Sequence, residues 1–97
     1  MPAHWGWFRK DVTPTTCLTM AQRAIVEYGL HVDDAADGGG GYIVLGSGPG
    51  DLVVQVTCAP DGDRTWVAVT AWCPDSRTAE LARNGVRETI VHLVPIE

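Results

Sequence analysis

The sequence predicts an α+β fold: a two-layer sandwich in the order α-β-β-β-α, with two helices on one face of a three-stranded antiparallel meander. Two amphipathic stretches with apolar residues three and four apart lie at either side of the chain. Between them sit three runs rich in Val, Ile, Thr and Trp, each bounded by Gly, Pro or Asp. The connections between those runs are short enough to join antiparallel neighbours. At 97 residues the chain has room for one domain.

Residues 1–12 read as a polar and aromatic leader, Met1-Pro2-Ala3-His4-Trp5-Gly6-Trp7-Phe8 and on to Val12, with residues 13–97 as the α+β domain. Thr13 suits the N-cap of the first helix and Pro14 its first helical position. This helix is expected from Pro14 to about His31, burying Cys17, Leu18, Ala21, Ala24, Ile25, Tyr28 and Val32. Gly29 weakens its last turn. The stretch Asp33 to Gly41 has the turn formers and backbone freedom of a flexible loop.

Strands are expected at Tyr42–Leu45, Leu52–Cys58 and Thr65–Cys73. Asp75 or Ser76 then caps a second helix to about Leu93, whose buried stripe is Ala79, Ala82, Val86, Ile90 and Leu93. Period-two alternation sorts the strand residues by face. The Leu/Val set belongs under the helices. The opposite face receives Trp66, Trp72, Val53, Gln55, Thr57 and Thr70, together with Tyr42 and Val44, and is too apolar for a plain solvent face. Three covers are available to it: the aromatic leader folding back, a second copy of the chain, or a foreign partner. A homodimer is the plainest, because Trp and Tyr are enriched at interface hot spots and two-fold pairing is common.

Seven Lys plus Arg against twelve Asp plus Glu leave a formal charge of -5. Residues 33–63 hold six Asp and no Lys or Arg, so the acidity is concentrated there. That argues against nucleic acid or an anionic membrane as partner. The N-terminus lacks the apolar core of a secretory signal, so the expected compartment is cytoplasmic, or periplasmic had a signal peptide been removed.

Three cysteines, Cys17, Cys58 and Cys73, are an odd number, so at least one is free or pairs with another chain. No C-x-x-C or zinc spacing occurs. With the first helix antiparallel to a strand beginning at Tyr42, Cys17 and Cys73 fall at one end of the sheet and Cys58 at the other. On that placement a Cys58–Cys73 bridge is excluded, being roughly 25 Å long at ~3.3 Å per residue. A Cys17–Cys73 redox pair is allowed, and its position near a helix start would activate Cys17. The far end gathers His31, Cys58 and His92, a weak candidate set for a transition metal.

Other motifs fall short. Gly46-Ser47-Gly48-Pro49-Gly50 joins two strands and has no following Lys, so it is a turn and not a phosphate loop. No nucleophile, zinc-protease or acid/base pattern is present. No catalytic residue and no cofactor is expected.

The α-β-β-β-α order resembles that of double-stranded-RNA-binding domains, which implies two helices over one face of a three-stranded sheet. That family carries a lysine-rich cluster at the start of its second helix. Here the same position reads Pro74-Asp75-Ser76-Arg77-Thr78-Ala79-Glu80, which sets RNA binding aside. The acidic, small character is also similar to bacterial secretion chaperones, which place helices over an antiparallel sheet. The functional expectation is a small acidic, non-enzymatic binding or assembly module using an aromatic sheet face, homodimeric and chaperone- or adaptor-like. The alternative is a thiol-redox or metal-binding protein using Cys17/Cys73 or His31/Cys58/His92.

Overall fold

A computed structural model describes residues 3–93. Seven elements follow one another: β1 (Ala3–Lys10), α1 (Pro14–Glu27), β2 (His31–Gly38), β3 (Gly41–Gly48), β4 (Leu52–Asp61), β5 (Arg64–Trp72) and α2 (Ser76–His92). The class is α+β, as the sequence predicts, but the sheet has five strands, all antiparallel to their neighbours, in the order β1-β5-β4-β3-β2. The three expected strands, β5, β4 and β3, are its three middle strands. The two added strands are its edges.

β1 is the segment read as a leader. It runs against β5, with Trp5 opposite Thr70, Trp7 opposite Ala68 and Arg9 opposite Trp66. The leader therefore widens the sheet instead of folding over it. The Thr65 hydroxyl donates to the Val12 carbonyl at 2.6 Å, fixing the corner from which the chain turns into α1.

Thr13 caps α1, its hydroxyl accepting from the Thr16 N–H at 3.1 Å. The helix stops at Glu27, four residues short of the expected His31, because Gly29 adopts φ +89°. The Leu30 N–H then reaches the Ile25 carbonyl and the Gly29 N–H the Val26 carbonyl. That pair of bonds is the Schellman stop, which needs a left-handed residue where Gly29 stands.

β2 occupies most of the expected flexible loop. Gly39 and Gly40, both at positive φ, make a two-residue hairpin turn into β3 of the kind that matches strand twist. Three Asp, two Ala and a Gly give β2 little strand propensity of its own. Pairing with β3 from Ser47 to Gly41 holds it, a tertiary contact overriding local preference.

One core lies between the helices and one face of the sheet. Cys17, Ala21, Ala24 and Ile25 of α1 and Ala79, Ala82, Val86 and Ile90 of α2 pack with Val44, Leu52, Val54, Val56, Cys58, Val67, Val69 and Ala71. Tyr42 and Val44 belong to this side, Val44 fully buried and Tyr42 packed against the core. The expectation that both lie on the open face is thus corrected. Tyr42 pairs with Cys58 and Val44 with Val56, and register partners share a face. The outward residues of β3 are instead Ile43, Leu45 and Ser47.

Candidate interaction surface and the cysteines

Among the described residues nothing covers the face away from the helices. Its middle strand, β4, contributes Val53, Gln55 and Thr57. β5 contributes Trp66, Ala68, Thr70 and Trp72, and registers Trp72 against Val53, Thr70 against Gln55 and Ala68 against Thr57. Of the residues the sequence assigns to this face, Val53, Gln55, Thr57, Trp66, Thr70 and Trp72 are there, partly buried except for Val53 at 38% exposure.

Sequence reasoning missed Trp7, Arg9, Ile43 and Leu45. Trp7 is 46% exposed and Ile43 40%. The Trp7 and Trp66 rings lie 6.4 Å apart at 31°. Ala68, directly opposite Trp7, is small enough to let the indole lean diagonally toward Trp66. The Arg9 guanidinium sits 5.3 Å from the Trp7 ring centre and also pairs with Asp61. Ring stacking and a cation over the ring hold Trp7 in place. The signal for this was the alternation of Trp5, Trp7 and Arg9 with Gly6 and Phe8, a strand pattern in what was read as a leader.

Charge is confined to the margins of the face. Arg9, Asp61 and Arg64 lie at one end, and Asp34, paired with Leu45, lies on the β2 edge. The interior is apolar or uncharged polar. Gln55 is already engaged, its Nε2 donating to the Thr57 hydroxyl at 3.3 Å.

The cysteine expectations change most. Cys17 and Cys58 form a disulfide, with Cα atoms 6.0 Å apart, and both are fully buried. Cys73 is the free thiol, buried, its S–H directed to the Gly50 carbonyl at 3.4 Å. The Cys17–Cys73 pair is therefore not formed. The reason is topological: β2 is one more traverse of the sheet between α1 and β3, so α1 begins at the end where Cys58 lies. Cys73 follows Trp72 at the other end, six residues along β5 from the partner of Cys58, Val67, about 20 Å at ~3.3 Å per residue.

The same extra traverse separates His31 from Cys58. His31 pairs with Ser47 at one end of the sheet, while Cys58 pairs with Tyr42 at the other. Cys58 is consumed in the disulfide, and His92 meets the Glu88 carboxylate at 3.3 Å. Among the described residues no three His, Cys, Asp or Glu side chains gather to hold a metal ion. Glu27, Glu88, Thr89, His92 and Leu93 line a shallow hollow of about 350 Å³ where the two helices end. Among the described residues no helix is long and apolar enough to cross a membrane.

Neither a protein-family model nor a curated protein sequence matches this chain.

Proposed function

We propose that this chain is a non-enzymatic binding or assembly module, chaperone- or adaptor-like in size and character, that docks another protein surface with the open face of its sheet. The observation that carries the reading is the uncovered face itself. Trp7, Ile43 and Val53 are more than a third exposed and are continuous with Leu45, Trp66 and Trp72. A monomer seldom leaves so broad an apolar patch to water. Aromatic anchors held in position and charge restricted to the rim are the anatomy of a protein interface. The margin charges and the -5 net charge argue against nucleic acid as the partner. The buried Cys17–Cys58 bond favours an oxidising compartment over the cytoplasm, such as the periplasm of a bacterium.

The experiment is binding of an environment-sensitive anilinonaphthalene dye to highly diluted chain, beside Ile43→Asp and Val53→Asp variants of unchanged circular dichroism. The native chain should enhance the dye and both variants should lose most of the signal. A native chain with no enhancement, whose Trp emission is also independent of concentration, would overturn the reading.

A further inference from the structure

Resting on that reading of the face, we infer that the partner is a second copy of the chain, stacked sheet to sheet about a two-fold axis that runs along β4. Five strands at ~4.8 Å and eight residues or so at ~3.3 Å give a face of roughly 650 Å² in projection. That is close to the ~800 Å² each partner contributes to a stable interface once side-chain relief is counted.

A sheet stacked on its own copy has two simple two-fold arrangements, and the residues at the rim separate them. With the axis across the strands through Gln55, β2 lies over β2. Asp34 of one copy then meets Asp34 of the other, on a strand that holds no Lys or Arg. Like charges so placed are repulsive. With the axis along β4, the middle strand, the acidic β2 of each copy lies over β1 of the other. β1 carries no acid, and Arg9 is its cation on the open face; Lys10 turns to the helix side, where its Nζ donates to the Val91 carbonyl.

The second arrangement also sets large residues over small ones. Trp7, Ala68, Thr57, Ile43 and Ala36 share one level across the sheet, and Trp72, Val53 and Ser47 another. Rotation about β4 puts Trp7 over Ala36, Trp72 over Ser47 and Ile43 over Ala68. Bulk meets space, as interdigitating sheets require.

The test uses sedimentation equilibrium of the full chain, followed by cross-linking of Val53→Cys and Thr57→Cys with a short bis-maleimide, which leaves the Cys17–Cys58 disulfide untouched. The mass should approach twice 10.4 kDa. Along a β4 axis each of these residues faces its own counterpart, so each variant should cross-link with itself. An axis across the strands would instead cross-link only the mixture of the two variants, since Val53 would then face Thr57. That result, a monomer at every concentration, or a dimer in which no combination cross-links overturns the inference. A monomer that still binds the dye leaves the docking face standing and removes only its partner.

Discussion

Cys17, in the first turn of α1, is bonded to Cys58, near the end of the central strand β4, so one covalent link ties the helix layer to the sheet behind the open face. The link closes a loop of 41 residues in sequence separation, for which the chain-entropy argument gives about 4 kcal/mol of stabilisation. Urea unfolding with and without reductant should show a loss of ~2–4 kcal/mol, reproduced by a Cys17→Ala/Cys58→Ala variant. Equal midpoints in both conditions would deny the bond a stabilising part.

Gly46 lies where Ile25 of α1 packs tightly on the sheet. A Cβ there would stand 2.6 Å from Ile25 Cγ2 and 2.9 Å from the His31 carbonyl oxygen. The second of these is backbone and yields little. Gly46→Ala should cost about 1–3 kcal/mol by overpacking, read as a lowered denaturant midpoint. Gly50→Ala has open space around it, so its cost should come from its φ of +74° alone.

Thr65 is fully buried, and its hydroxyl spends its proton on the Val12 carbonyl. Thr65→Val keeps the shape and removes the donor, so a loss of ~1–2 kcal/mol is expected. Hydrogen exchange should quicken first at the N–H groups between Lys10 and Thr13. Uniform exchange changes over the whole domain would speak against a corner held by that bond.

Asp75 precedes α2, and its carboxyl is held below the usual aspartate range. The Thr78 hydroxyl is the main cause, the Arg77 and Thr78 backbone N–H groups add to it, and slight burial opposes it. A depressed folded-state value means the contribution is present above the unfolded value and disappears as pH falls through the folded one. Carboxyl carbon shifts in an acid titration should place Asp75 below an unstructured Asp, and Thr78→Val should move it upward. No movement would assign the effect elsewhere.

The sequence made α1, β4, β5 and α2 legible because each combines a clear period with an edge signal, such as Thr13-Pro14 or Asp61-Gly62. β1 and β2 were hidden for different reasons. β1 holds an alternating pattern, but Gly6 interrupts it and it has no Val, Ile or Thr to mark a strand. β2 is held by pairing with β3 and has Asp at three of eight positions; only the two-glycine turn after it announced a hairpin. The aromatic face was readable on β4 and β5, where alternation is long. On β3 the expected strand was four residues, too short to fix its parity, and Tyr42 and Val44 fell on the wrong side. Missing one traverse reversed the end at which every element before it lay. That single error moved Cys17 toward Cys73, and His31 toward Cys58.

The acidic edge has a second effect, on sideways growth of the sheet. An outermost strand offers unpaired backbone groups as a template for another chain, and natural proteins blunt such strands with charge and irregular register. β2 has both, three aspartates and a register shift between Val32 and Asp34. Two such edges approaching each other in solution would align six carboxylates along one seam. Asp33→Asn, Asp34→Asn and Asp37→Asn together would remove that barrier and leave the fold's interior untouched, turning a chain that stays dispersed into one able to extend its sheet end on end into fibrils.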